Sequence, residues 1–187
     1  MIKTVFDACV LYSASLRGFF LSLATGGLLD PFWSAEIQNE WTDNLLENRP
    51  DLKRETLVQV HRNMEHHFPN GLIRGYESII PTLLLPDMND RHVFAVAIHV
   101  QAECIVTFNL EDFPNAIMQS YGIEAISPDE FALRLIKKEF NRAFRAIKKH
   151  RLSLTRPPKT VDEYLATLER QGLIKTAAFL REQESDI

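Results

Sequence analysis

Apolar positions along the chain fall into short β-like runs and longer stretches with a helical period. The short runs, bounded by turn-forming residues, predict extended segments at residues 3–6, 32–33, 104–108 and 122–126. Apolar residues that recur every three or four positions predict helices at residues 16–29, 34–48, 51–67, 93–100, 127–149, 160–170 and 173–183. The apolar stretch 72–85 is interrupted by Gly75 and Pro81 and leaves helix and strand equally open. The order of strand, helices, strand, helix and strand favours a three-layer α/β fold with a parallel sheet.

A strong helix start divides the chain into two predicted domains. Ser127 can act as the N-cap, and Pro128 then occupies the first helical position. Residues 1–127 are therefore predicted to form the α/β domain, and residues 128–187 a C-terminal helical extension. Within this extension, prolines indicate a linker near residues 155–159.

Composition and charge indicate a soluble globular protein. The chain has 187 residues, an apolar fraction of 45% and a formal net charge of −4, which suits one domain with a full core and a smaller appendage. No apolar run reaches the roughly 18 residues that a membrane-spanning helix needs, and no cleavage-like site follows the N-terminus, so a cytoplasmic location is expected. Cys9 and Cys104 are expected to be buried free thiols. A metal role for His61, His66 and His67 is not favoured, because no carboxylate or cysteine lies at ligand spacing beside them.

Four carboxylates are candidates for one site because of their places relative to the predicted elements. Asp7 would end the first strand, Asp112 would follow a later strand, and Asp90 would open the helix before that strand. Glu40 lies about 60° around its helix from the buried Ile37 and can therefore face a cleft. Groups at the carboxyl ends of parallel strands converge on the ligand crevice. Taken alone, Asp7 could equally cap the following helix.

Such a group of acids requires a cation. Two carboxylates 4 Å apart repel by about 4 kcal/mol at an effective dielectric constant near 20. Ligand sets made of oxygen alone suit Mg²⁺ or Mn²⁺ rather than Zn²⁺. Because Mg²⁺ keeps several waters, these acids could bind one or two ions and leave positions for phosphate oxygens and an attacking water. Phosphodiester hydrolysis is the chemistry that this arrangement favours.

Four segments, in a fixed order, carry these acids and their neighbours. They are VFDACVLY, EIQNEW, NDRHVFAVAI and TFNLEDF. Together they resemble the PIN-domain nucleases, and especially bacterial PIN proteins of the VapC toxin type. The resemblance covers residues 2–127, and the remainder is similar to the C-terminal helical part of some longer VapC-type toxins. It implies a three-layer α/β/α PIN-like domain with a central parallel sheet, followed by a C-terminal helical extension.

The resemblance also implies roles for individual residues. Four acids would be the catalytic and metal-binding residues: Asp7, Glu40, Asp90 and Asp112. Thr107 would lie at a strand end and hydrogen-bond a carboxylate. Many relatives have Asp where this chain has Asn109, which can orient a water but cannot act as a base, so Asp112 carries more weight and a second metal ion is in doubt. Asp87 would either support the metal from the outer shell or form a turn.

The function that the resemblance implies is an endoribonuclease that depends on Mg²⁺ or Mn²⁺ and acts as the toxin of a type II toxin–antitoxin pair. Its partners would be an RNA substrate and a cognate antitoxin protein, with a homodimer as an open option and no membrane. The alternative is a non-catalytic PIN-like module that binds a partner or RNA. Phosphoaspartate phosphatases are not favoured because they need an Asp where this chain has Cys9, nor are response-regulator receivers, because residues 125–127 lack their Lys.

Basic residues are concentrated in residues 134–159, which hold ten Lys or Arg and one acid, Glu139. A local basic surface of this kind is a candidate contact for phosphate groups. Lys148, Lys149 and Arg151 are the predicted RNA-binding residues within it. A solvated helix face without a ligand is the alternative interpretation.

Overall fold

Short apolar runs form the strands of one sheet in the computed structural model, which describes residues 1–183. The strands of this part of the chain are β1 Ile2–Phe6, β2 Leu29–Ser34, β3 Leu72–Ile73, β4 Cys104–Val106 and β5 Glu124–Ile126. They lie in the order β3-β2-β1-β4-β5. The pairs β1–β4, β4–β5 and β2–β3 are parallel. The predicted α/β fold with a parallel sheet is confirmed.

Helices connect these strands and also follow the last one. They are α1 Ala8–Leu11, α2 Ala14–Thr25, α3 Ala35–Asn48, α4 Arg54–His67, α5 Arg91–Val100, α6 Asn115–Met118, α7 Pro128–Lys138, α8 Phe140–Ser153, α9 Val161–Arg170 and α10 Ile174–Arg181. None of the helices within residues 1–183 is long and apolar enough to cross a membrane.

The chain forms two structural units. One holds the sheet and consists of residues 2–12 and 30–126, and the other is helical and consists of Met1, residues 13–29 and, within the described chain, residues 127–183. Helix α2 belongs to the helical unit, where it packs against α8 and α9. The predicted division at residue 127 did not foresee this grouping, and the domain limits 1–127 and 128–187 remain a prediction.

In the α/β unit, α5 packs against β1 and β4. Seven of the ten residues of this helix are apolar, and Val93, Phe94 and Val96 are fully buried. It ends at Gln101, whose left-handed backbone (φ 54°) stops the helical hydrogen bonds. The segment that the sequence left undecided, 72–85, contains the two-residue strand β3 and a 3₁₀ turn at Ile80–Thr82.

Two helices differ from the predictions, one in its start and one in its continuity. Helix α4 begins at Arg54 rather than near Asp51, because the Asp51 carboxylate instead accepts hydrogen bonds from Arg49 at 2.8 and 2.7 Å. The continuous helix predicted for residues 127–149 is wrong: it is divided into α7 and α8 at Glu139, whose backbone (φ −126°, ψ 47°) is not helical.

The helical unit is organised by its caps. Ser127 accepts a hydrogen bond from the Glu130 N–H at 3.3 Å, as predicted for this helix start. The Asp129 carboxylate accepts the backbone N–H groups of Lys175 and Thr176 at 2.8 and 2.9 Å, and so ties the start of α10 to the start of α7. These bonds satisfy donors that a helix start otherwise leaves unpaired.

Candidate functional site

The sheet order fixes where a site can form in the α/β unit. Strand β1 has β2 on one side and β4 on the other, so the chain order reverses at β1, and ligand crevices of parallel sheets open at the carboxyl ends of such strands. Phe6 pairs with Val106 at the ends of β1 and β4. The next residues, Asp7 and Thr107, therefore lie side by side at this point.

Asp7 is held in a buried, hydrogen-bonded position. Its side chain is only 3% exposed, and Oδ2 accepts hydrogen bonds from the Thr107 hydroxyl at 2.6 Å and from the Cys9 thiol at 3.1 Å. Burial raises the pKa of Asp7, the bonds from Thr107 and Cys9 oppose this, and the charge of Glu40 adds to it. The carboxylate is thus fixed in orientation but carries a charge that its surroundings do not fully compensate.

Asp90 begins α5, and its side chain makes no capping hydrogen bond. Its pKa is raised to about 7, first by burial and then by the charges of four other carboxylates: Asp7, Asp112, Asp87 and Glu40. The structure therefore brings all four predicted ligands, together with Asp87, within electrostatic range of one another.

A histidine that the sequence analysis did not single out joins two acids of α3. His92 is buried, with Nε2 3.4 Å from Glu40 Oε2 and Nδ1 3.8 Å from Glu36 Oε2, and Glu36 also accepts a hydrogen bond from the Tyr76 hydroxyl at 3.4 Å. Burial lowers the pKa of His92, but a hydrogen bond to Glu40 and the charges of Glu36, Glu40 and Asp7 outweigh it, so the net pKa is raised.

Glu36 and Glu40 of α3 thus both lie within 4 Å of the His92 ring. The signal available in the sequence was the position of His92 two residues after Asp90, on the first turn of an apolar helix. These groups border an open cleft of about 510 Å³, whose lining includes Glu36, Glu40, Asp90 and His92.

The remaining predicted site residues surround this group. Asp112 is half-buried at the end of a 3₁₀ turn, Leu110–Asp112. Asn109 donates its backbone N–H to the Thr107 hydroxyl at 2.9 Å, so its main chain supports Thr107 while its side chain is exposed. Asp87 accepts the Asn89 N–H at 2.8 Å in a local turn, and its charge also raises the pKa of Asp90. The turn alternative for Asp87 thus has a structural basis, and its outer-shell support of a metal stays a prediction.

The donor set fits a hard divalent cation. Within residues 1–183, no three His, Cys, Asp or Glu side chains are gathered closely enough to form a ready-made metal site. Mg²⁺, however, is usually bound directly by only one or two carboxylates and keeps several waters. The oxygen ligands suit such an ion. Its positive charge would also relieve the mutual repulsion of the carboxylates around Asp90. Asp7, Glu40, Asp90 and Asp112 are the residues that could hold it.

The three predicted RNA-binding residues differ in their surroundings. Lys148 and Lys149 are exposed on α8. Arg151 is half-buried and donates a hydrogen bond from Nη1 to the Lys159 carbonyl at 2.9 Å. Lys148 and Lys149 are therefore free to meet a ligand from solution, whereas Arg151 also holds the helical unit together.

Comparison with known proteins agrees with these observations. The PIN domain family model matches residues 3–111, and a model described as the VapC50 C-terminal domain matches residues 128–182. The chain is 42% identical over 69 residues to a Mycobacterium tuberculosis protein named "Putative ribonuclease VapC50". That alignment covers 35% of this chain and 40% of the relative, so the chain spans well under two thirds of the relative's length. No solved structure matches the chain significantly.

Proposed function

Since the chain belongs to the PIN-domain family, we propose that it is an endoribonuclease that depends on Mg²⁺ or Mn²⁺ and acts as the toxin of a type II toxin–antitoxin pair. The resemblance to VapC-type proteins with a C-terminal extension supports this proposal. The observation that carries it is the raised pKa of Asp90 beside four other carboxylates. Asp7, Glu40, Asp90 and Asp112 would hold the cation and carry catalysis.

When bound, a divalent cation supplies positive charge to phosphate oxygens and lowers the pKa of a water that it binds. The protein residues have separate tasks around it. Thr107 donates to Oδ2 of Asp7 and so holds this carboxylate in a fixed orientation. Asp112 can accept a proton from an attacking water, which the amide of Asn109 cannot do. His92 keeps the Glu40 carboxylate at the edge of the cleft by the contact at 3.4 Å.

Asp90 makes the binding of a cation dependent on pH. With a pKa of about 7 in the metal-free protein, its carboxyl group is protonated in about half of the molecules at neutral pH. A cation must displace this proton, so its affinity should rise with pH up to about 7 and then level off.

The test is RNA cleavage with Mg²⁺ and with EDTA. Purified protein should cut single-stranded RNA only with Mg²⁺ or Mn²⁺, and Asp7→Asn or Asp90→Asn should lower the rate by at least about 100-fold, since a metal ligand is lost. Asp162→Asn is the matched control, because Asp162 is exposed at the start of α9. Full activity in either site variant would refute the proposal.

The absence of a ready-made cluster of three ligand groups within residues 1–183 favours one other candidate, a non-catalytic PIN-like module that binds RNA or a partner. Such a module would bind RNA equally well in EDTA and leave it intact at every Mg²⁺ concentration. Metal-dependent cleavage that disappears in Asp7→Asn would exclude it.

The cognate antitoxin and the cytoplasmic location belong to the same proposal. Expression of the chain should arrest bacterial growth, and the Asp7→Asn variant should not. A small protein encoded beside it should relieve the arrest and co-purify with it. Size-exclusion chromatography with light scattering would decide whether the chain is a homodimer.

A further inference from the structure

The helical unit contains a cavity of about 400 Å³ that is separate from the acidic residues. Its walls come from three places in this unit: the first turn of α2, the C-terminal end of α8 with the connection that follows, and one face of α9. Its volume lies at the lower end of the roughly 300–1,000 Å³ that small-molecule sites occupy. The space therefore suits one small ligand.

Two cations border the cavity without an acidic partner. Arg156 is exposed, and the structure of residues 1–183 gives it no ion pair or hydrogen bond. Lys159 donates from Nζ to the Thr167 hydroxyl at 2.6 Å, and no carboxylate in the described part of the chain pairs with it. Arg170 also donates to this hydroxyl, at 3.1 Å. Positive groups thus converge on a neutral oxygen, an arrangement that an anion would stabilise.

The inner part of the cavity is neutral. His150 Nδ1 lies 2.9 Å from the Tyr164 hydroxyl. Burial, followed by the charge of Lys159, lowers the pKa of His150 to about 4, and burial raises the pKa of Tyr164. The pair is therefore a neutral phenol hydrogen-bonded to a neutral imidazole. Leu154 and Leu168 supply apolar surface beside this pair.

We propose that this cavity binds a single nucleotide unit, with the base against the neutral inner wall and the phosphate at Arg156 and Lys159. A largely apolar cavity with a cationic rim is the combination that a nucleotide needs, because its base is poorly hydrated and its phosphate is an anion. The hydroxyl groups of Ser15 and Thr155 line the same space and can bond to the sugar. The site goes beyond the proposed nuclease and does not depend on the acidic cluster.

The unit could come from a free nucleotide or from one residue of an RNA chain. Isothermal titration of the full chain in EDTA would use four probes: AMP, adenosine, inorganic phosphate and a five-residue oligoadenylate without a terminal phosphate. AMP should bind at least about tenfold more tightly than adenosine or phosphate, because it uses both parts of the cavity. If the oligoadenylate binds as tightly as AMP, the nucleotide comes from RNA. If only AMP binds, the ligand is a free nucleotide.

The decisive variant is Arg156→Gln, which removes an exposed charge that makes no hydrogen bond or ion pair within residues 1–183. It should weaken AMP binding about tenfold, as expected for one lost charge-assisted hydrogen bond of roughly 1.5 kcal/mol. Arg62→Gln is the same substitution at an exposed residue of α4 that does not line the cavity, and it should alter the affinity by less than twofold.

Three results would overturn the proposal: no binding of AMP or oligoadenylate, equal binding of AMP and inorganic phosphate, or equal affinity in the wild type and Arg156→Gln. Neither the metal nor cleavage enters these measurements. Failure of the nucleotide site and failure of the nuclease proposal are therefore distinguishable.

Discussion

Replacing Asp90 by Asn should stabilise the metal-free protein. The pKa of Asp90 is raised from 3.8 to about 7, by burial and by four neighbouring carboxylates. Three pKa units correspond to about 4 kcal/mol, but the side chain is partly exposed, and screening by water reduces the effect to about 1–2 kcal/mol. Asn has nearly the same shape, and Asp90 has no side-chain capping bond to lose. For a chain of this size the melting temperature should rise by about 2–8 °C.

The gain in stability from Asp90→Asn should depend on pH in a defined direction. Between about pH 3.8 and 7 the unfolded chain loses the Asp90 proton while the folded chain keeps it, so Asp90 progressively destabilises the fold as the pH rises. Above about pH 7 the penalty is complete. The difference between Asp90→Asn and the wild type should therefore be largest at pH 8 and close to zero at pH 4.

Thermal unfolding followed by circular dichroism, in EDTA at pH 8 and pH 4, measures this difference. Saturating Mg²⁺ should narrow or reverse this difference in stability. A ligand that binds only the folded state stabilises that state by mass action, and the Asp90→Asn variant should bind the ion less tightly than the wild type. Asp162→Asn, on the exposed start of α9, should change stability by less than about 0.5 kcal/mol. If Asp90→Asn were less stable than the wild type in EDTA at pH 8, the carboxylate would have a structural role and the repulsion argument would be wrong.

Three further predictions concern other residues. Thr107→Val should weaken Mg²⁺ binding and cost about 1–2 kcal/mol of unfolding free energy in a urea titration, since its hydroxyl no longer bonds Asp7; an unchanged Mg²⁺ affinity would contradict this. Reversing the charges of Lys148 and Lys149 should lower the slope of log RNA affinity against log salt concentration by about one unit per lost phosphate contact. An unchanged slope would mean that these two residues belong to a solvated helix face. Because the pKa of His150 is about 4 in the fold and about 6.5 when unfolded, stability should fall by about 2–3 kcal/mol from pH 6.5 to pH 4; His150→Gln should flatten this decline in urea titrations.

The parts of the site that the sequence could predict are those fixed by a strand or helix end. Asp7 follows β1 directly, and Asp90 opens α5. Both positions follow from local periodicity together with the rule that parallel strands present their carboxyl ends at one edge. Thr107 could be placed by the same rule, since it follows β4.

Side-chain contacts between helices could not be predicted in this way. His92 meets Glu36 and Glu40 only because α5 and α3 face the same cleft, and the helical period fixes directions around one axis but not the distance between two. The same limit explains why α2 was not assigned to the helical unit. Its apolar face is consistent with either neighbour, and only the tertiary packing selects α8.

The link between Asp90 and the helix that it starts explains how the fold tolerates the acidic cluster. Burying Val93, Phe94 and Val96, all fully buried, stabilises the fold by roughly 1.5–3 kcal/mol for each side chain. This exceeds the repulsion of about 1–2 kcal/mol that Asp90 adds after screening by water. Packing of α5 against β1 and β4 can therefore hold an unfavourable carboxylate beside Asp7 before any cation binds. An acid and the largely apolar helix that directly follows it therefore form one sequence signal, because burial of the apolar run supplies the stability that the charge removes.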